Sequence, residues 1–142
     1  MLTSARNQFA GKIAAIHAGA VNDEIELALP GGDVITAIIT SQSTASLGLK
    51  VGGEAFAIVK APWVILADPD SGIRLSTRNR LEGAVSSVTK GAVNAEVEIL
   101  LQGGDKLVAI VTLESAEALG LAAGKTISAF FKASHVIVGV KA

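Results

Sequence analysis

From residue 24 to residue 29 polar and apolar side chains take turns: Glu24, Glu26 and Ala28 face one way, Ile25, Leu27 and Leu29 the other. That period of two is the mark of a half-buried β-strand, and Glu96-Val97-Glu98-Ile99 repeats it. Upstream of each alternating stretch lies a more continuous apolar segment, Phe9 to about residue 17 and Leu81 to about residue 89, followed by a short turn holding Gly19 or Gly91. Downstream, Pro30-Gly31-Gly32-Asp33 and Gln102-Gly103-Gly104-Asp105 predict hairpin turns, because glycine accepts the positive φ that such turns require. A β-rich run, Val34–Thr40, follows the first of these. Next comes a short helical stretch. Ser43 and Ser115 are its expected N-caps and Gly48 and Gly120 its ends, with Ser115-Ala116-Glu117-Ala118-Leu119 the better helix former. Glu54–Lys60 with Trp63–Leu66, and Thr126–Lys132 with His135–Val138, predict the last strands. About five strands and one helical turn result each time, and closing them into a small barrel would protect the strand edges.

The pattern runs twice because the sequence does. Ser4-Ala5-Arg6-Asn7 returns as Ser76-Thr77-Arg78-Asn79, Gly19-Ala20-Val21-Asn22 as Gly91-Ala92-Val93-Asn94, Leu47-Gly48-Leu49 as Leu119-Gly120-Leu121, and Lys60-Ala61 as Lys132-Ala133, all at an offset of 72 residues. Two copies of a unit imply two copies of its surface or site. The expected division is residues 1–70 and 71–142. The polar stretch Asp68-Pro69-Asp70-Ser71-Gly72 joins them and is too short to let the copies drift apart, so a fixed pair is expected.

Composition narrows the class. Half of the 142 residues are hydrophobic, 18% are charged and 4% aromatic, so each thin core draws on Val, Ile, Ala and Leu and gains by packing on its twin or on further subunits. A net charge of -1 gives no field for nucleic acid, and surface aromatic candidates are lacking, Trp63 being the single tryptophan with no tryptophan twin. The absence of cysteine removes disulfides and thiolate chemistry. The N-terminus lacks the apolar core of a signal peptide, and runs such as Val64-Ile65-Leu66-Ala67 are too short to span a bilayer. A cytoplasmic protein without membrane or nucleic-acid partners is expected.

Catalytic arrangements are missing. His17 and His135 occupy non-equivalent positions and read as half-exposed strand histidines, not metal ligands. Glu24/Glu26 and Glu96/Glu98 read as a solvated strand face. No glycine-rich stretch extends to a phosphate-binding motif. With no repeated base or nucleophile, no enzyme is expected.

What recurs is a set suited to holding an anion. Ser4 and Arg6, like Ser76 and Arg78, offer a hydroxyl and a guanidinium two residues apart. Lys60 and Lys132 end apolar strands, Thr40-Ser41 and Thr112 end the central strand, and Ser43 and Ser115 open the helical turn. A tetrahedral dianion is well served by one or two cations and several neutral donors. Each residue alone reads as well as a solvated cation or a cap, and the Gly-Ala-Val-Asn segments read either as plain turns or as small residues presenting backbone N–H groups.

Taken in order, these elements resemble a tandem molybdenum-pterin-binding protein, a molbindin with two Mop (TOBE-type) domains. The quoted segments cover nearly the whole chain. The resemblance implies a mostly β fold of two tandem OB-like five-stranded β-barrel domains, each with a short helix. It also implies cytoplasmic storage and homeostasis of molybdate or tungstate, without chemical conversion, in a homotrimer that mimics a hexamer of domains. Interface oxyanion sites would draw on Ser4, Ala5, Arg6, Lys60 and Ala61 and on their twins Ser76, Thr77, Arg78, Lys132 and Ala133. Thr40, Ser41, Ser43, Thr112 and Ser115 would add donors, with no side chain bonding the metal directly. Axial sites would use Gly19, Ala20, Val21 and Asn22, and Gly91, Ala92, Val93 and Asn94. Many relatives carry a hydroxyl residue where Ala61 and Ala133 stand, which shifts weight onto backbone N–H groups. Pro62 opposite Ser134 and Trp63 opposite His135 make the copies unequal. The competing reading is a regulatory or transporter-associated oxyanion-sensing module that acts through a protein partner.

Overall fold

The structure, a computed structural model, describes residues 3–142. In chain order the first repeat runs β1 (Asn7–His17), β2 (Asn22–Ala28), β3 (Val34–Thr40), α1 (Ser41–Ser46), β4 (Glu54–Val59), a 3-10 turn (Ala61–Trp63) and β5 (Ile65–Ala67). The second runs β6 (Asn79–Lys90), β7 (Asn94–Leu101), β8 (Lys106–Thr112), α2 (Leu113–Ala118), β9 (Thr126–Phe131), a 3-10 turn (Ala133–His135) and β10 (Ile137–Gly139). The expected alternation appears as burial: Ile25, Leu27 and Leu29 are buried while Glu24 and Glu26 are half-exposed.

All pairings are antiparallel, and they form two five-stranded sheets ordered β10-β4-β1-β2-β3 and β5-β9-β6-β7-β8. Each sheet curls because its first strand serves two neighbours. Asn7–Lys12 pairs with β4, then Lys12–His17 pairs with β2. The register shift between Ile13 and Ala15, repeated between Val85 and Ser87, bends the strand at the change of partner. At that bend Gly11 lies so close to β2 that a Cβ would sit 2.3 Å from the Ala28 carbonyl oxygen. Two curled half-barrels, each with a short helix, are the OB-like architecture the sequence implied.

One feature lay outside the expectation. The last strand of each repeat joins the other repeat's sheet: β5 pairs with β9, and β10 pairs with β4. The chain passes between sheets at the two 3-10 turns, residues 61–63 and 133–135. Trp63 and His135 therefore lie on tight turns, where the sequence pattern had suggested strand. Their rings meet at 4.8 Å between centroids, tilted by 38°, so the tryptophan packs against its own twin.

Two asparagines lock the exchange. Asn7 donates from its amide to the Val108 carbonyl oxygen at 2.8 Å and accepts from the Val108 N–H at 2.7 Å. Asn79 does the same with Thr36, at 2.7 and 2.8 Å. Each side chain thus imitates a strand neighbour for a residue of the other sheet. The hairpin tips also touch. Gly31 meets Gly103 so tightly that a Cβ on Gly31 would lie 1.7 Å from the Gly103 carbonyl oxygen, and Asp33 accepts from the Gly103 N–H at 3.1 Å. One hydrophobic cluster runs through both repeats, from Phe9, Ile13 and Ile25 to Val97, Ile127 and Phe131. Each such large side chain contributes roughly 1.5–3 kcal/mol.

The helix starts correct a second expectation. Thr40 and Thr112 are the N-caps, in extended backbone with side chains accepting from the Ser43 and Ser115 N–H groups at 3.1 Å. Ser43 and Ser115 sit three residues inside. Gly48 and Gly120 terminate the helices as expected, at φ 64 and 62.

Asn7→Ala would leave the Val108 N–H and carbonyl unpaired in the interior. A loss of roughly 2–4 kcal/mol is expected, read as a shift in the urea unfolding midpoint. Asn7→Asp should fail to rescue it, because a carboxylate can accept from the N–H but cannot donate to the carbonyl.

Candidate anion-binding site

The crossover is where the predicted cations gather. Lys60 immediately precedes the first 3-10 turn in extended backbone, with its side chain exposed and its ammonium 5.6 Å from the Trp63 ring. Ala61, buried, seats the turn on the core. The segment Ser4-Ala5-Arg6 enters β1 beside it. Together Ser4, Ala5, Arg6, Lys60, Ala61, Pro62 and Ile110 line a cleft of about 210 Å³. Ile110 belongs to β8, so the cleft lies between repeats. Thr112 follows two residues later on the same strand face, about 7 Å away at the strand rise, with its hydroxyl 2.8 Å from that of Ser115.

The twin residues occupy the symmetry-related place. The second 3-10 turn packs on β3 as the first packs on β8, which sets Lys132 and Ala133 beside the strand that ends at Thr40. The Thr40 and Ser43 hydroxyls are again 2.8 Å apart and exposed. The Thr77 hydroxyl is buried without a partner, as is Nδ1 of His135. Copy one has Ala5 and Trp63 at those positions.

Both arginines are already engaged. Arg6 pairs with Glu96, and Arg78 with Glu24. The acidic strand face is therefore not simply solvated, as the alternation suggested. It supplies the counter-charges of the guanidiniums across the two repeats. Glu26 pairs instead with His17 at 2.7 Å on an exposed edge, and Glu98 with Lys106. His17 closes β1 and faces solvent, while His135 is half-buried on its turn.

The Gly-Ala-Val-Asn segments stand apart from the clefts, at the β1–β2 and β6–β7 turns beside the helix starts. The Ser41 N–H donates to the Val21 carbonyl, and the Leu113 N–H to the Val93 carbonyl, both at 2.8 Å. Val21 and Val93 are each 72% exposed, an extent of bare valine that invites cover. Ser41, expected as a free donor, is spent: its hydroxyl donates to Asp23 at 2.8 Å. Asp23 also accepts from the Gly19 N–H at 3.1 Å and is buried. The Ser41 hydroxyl, with the Thr44 hydroxyl and the Gly19 N–H behind it, holds its carboxyl below the usual carboxylate range. Sequence reasoning passed over Asp23. Its signal was an acid in register with Ile25 and Leu27, on the inward face of an alternating strand.

A larger cleft of about 470 Å³, bordered by Lys12, Glu54, Phe56 and Val140 among others, contains none of the predicted residues. Among the described residues no group of three or more His, Cys, Asp or Glu is placed to hold a metal ion.

Residues 3–66 and 75–138 each match the TOBE domain family. The chain is 44% identical over 140 residues to the molybdenum-pterin-binding protein MopA of Rhodobacter capsulatus, covering 99% of this chain and 53% of that protein. It is 42% identical over 141 residues to the molybdenum transport protein ModE of Herbaspirillum seropedicae, covering 99% and 52%. The chain thus spans about half the length of these curated relatives. Among solved structures it resembles the cytoplasmic molybdate-binding protein ModG, crystallised with molybdate bound, at a TM-score of 0.95 and 50% identity over 99% of this chain and all of that one.

Asp23 gives a prediction in acid. A carboxyl whose folded pKa lies below its unfolded value of 3.8 adds stability that is complete above 3.8 and lost as pH falls through the folded value. Asp23→Asn should therefore lower the urea midpoint at neutral pH. The gap between variant and wild type should close as the pH is taken below 3.8.

Proposed function

This chain belongs to the TOBE-domain family, as a molbindin-type tandem, and from that premise we propose that it binds and stores molybdate, and tungstate of the same shape and charge, without converting it. The observation that carries the reading is the cleft at the chain crossover. There Ser4 and Arg6 from one segment and Lys60 from another border one space of about 210 Å³, and the same three residue types recur at Ser76, Arg78 and Lys132. Two positive charges suit a dianion, and the remaining oxygens need only neutral donors. Thr40 with Ser43, and Thr112 with Ser115, present paired hydroxyls outward.

The proposal places the filled sites between subunits of a homotrimer in the cytoplasm. Support comes from matching bare surface in both repeats: Val21 with Val93, and Ile65 with Ile137 at 50% and 52% exposure. Paired, exposed apolar residues on a protein of this size are typical of surface that associates. The Gly19–Asn22 and Gly91–Asn94 turns would then meet their symmetry mates on the axis and offer backbone N–H groups to further anions. Glu96 and Glu24 would act as placeholders, holding Arg6 and Arg78 until an oxyanion of higher charge takes them over. No catalytic role is assigned to any residue.

A second reading has one observation in its favour. The chain covers only about half of ModE and MopA, so the same sites could serve as the sensing part of a larger regulator or transporter-linked protein. The full-length match to ModG favours storage.

Arg6→Ala and Arg78→Ala should each lower the molybdenum recovered with the protein after gel filtration in molybdate, with an unchanged elution volume. The double variant should lose the larger part of it. Full retention of molybdenum by the double variant would remove the clefts from consideration. Sulfate at the same concentration, as competitor, measures the selectivity of the cage.

A further inference from the structure

The two Gly-Ala-Val-Asn turns are identical in sequence and equally exposed at their valines, yet one has a charge beneath it. Asp23, 6% exposed, follows the first turn directly. Its carboxylate accepts from the Gly19 N–H at 3.1 Å and from the Ser41 hydroxyl at 2.8 Å. In the second repeat both partners change. Ala95 stands for Asp23 and Leu113 for Ser41, and the Gly91 N–H donates to the Asn94 carbonyl oxygen at 2.8 Å. The second turn is closed by its own backbone. The first is closed by an anion that the chain supplies itself.

A dianion held by the N–H groups of Ala20 and Val21 would stand within roughly 8 Å of that carboxylate, two backbone steps of about 3.8 Å along. That is no more than one Debye length at physiological salt, roughly 8 Å, and groups walled by protein are screened less than this. Repulsion between like charges at such range is substantial in a partly buried site. The carboxylate also consumes the Ser41 hydroxyl, which would otherwise have been a donor.

We propose that Asp23 is a built-in anion that excludes oxyanions from the Gly19–Asn22 turn, so that only the Gly91–Asn94 turn is an axial oxyanion site. The proposal rests on the reading of these turns as axial sites given above, and it makes the two ends of the axis unequal. In a trimer, each subunit would bring one such carboxylate close to the first axial position. At the second the same place would hold backbone N–H groups and alanine.

Equilibrium dialysis of the full chain against molybdate at neutral pH, with molybdenum counted per trimer, tests this through three variants. Asp23→Ala copies the second repeat, and Asp23→Asn removes the charge while keeping an acceptor for Gly19 and Ser41. Each should bind about one more molybdate per trimer than wild type, because one axial position opens. Ala95→Asp, which puts the charge under the second turn, should bind about one fewer or weaken its weakest class by roughly tenfold or more. Should wild type bind molybdate while all three variants match its count and affinity, Asp23 excludes nothing and the inference falls. Loss of binding on Asp23→Asn in a protein that still unfolds cooperatively would also overturn it, since the carboxylate would then support the site. Absence of molybdate from wild type itself would instead remove the oxyanion reading on which the inference stands.

Discussion

Two asparagine side chains hold this molecule in register. A strand passing from one sheet to another needs something to fix where the sheets meet, and apolar contact alone is non-directional. Asn7 and Asn79 supply direction. Each presents an amide as if it were a peptide group, donating and accepting with one residue of the opposite sheet, Val108 or Thr36. The anion clefts depend on that alignment. Arg6 adjoins Asn7, and Ile110 lies two residues beyond Val108. The bonds that align the sheets therefore bring Arg6 against Ile110 and within reach of Glu96. The same holds for Arg78, Asn79 and Glu24 in the other half.

Symmetry in the frame does not extend to its fittings. The two crossovers share Ser, Arg and Lys, but Thr77 and His135 bring to the second polar atoms that lack partners, where the first has Ala5 and Trp63. The turns share four residues and differ in the acid that follows. The repeat supplied two like scaffolds, and individual substitutions on them changed charge and donor count. The tilted contact between the Trp63 and His135 rings ties the two crossover turns to one junction.

Most of the local architecture was legible in the residues. Strict alternation in Glu24–Leu29 and its twin gave two strands, glycine pairs gave the hairpins, and Gly48 and Gly120 marked where the helices stop. The repeat offset located the recurring cations, and the structure brings Ser4, Arg6 and Lys60 together. Three things were not legible, each for a physical reason. Strand exchange is invisible to periodicity, since β5 and β10 bury the same residues whichever sheet they join. The N-caps were set three residues late because Thr40 and Ser43 both carry a hydroxyl, and only geometry shows which accepts. Asp23 hid inside an apolar face: a buried carboxylate depends on Gly19 and Ser41, partners four and eighteen residues away, which spacing alone does not connect.

The crossing of the strands also imposes an order on how the molecule can be completed as it is made. The outer edge of β4, finished by residue 59, has no neighbour until residues 137–139 leave the ribosome. Meanwhile β5 has nothing to join until β9 exists. Until β10 emerges the first half-barrel carries an open flank, the kind of surface that captures stray strands. Its finishing piece comes 78 residues further along the chain than the edge it closes, from residue 59 to residue 137, which places a premium on that strand arriving before another nascent chain does.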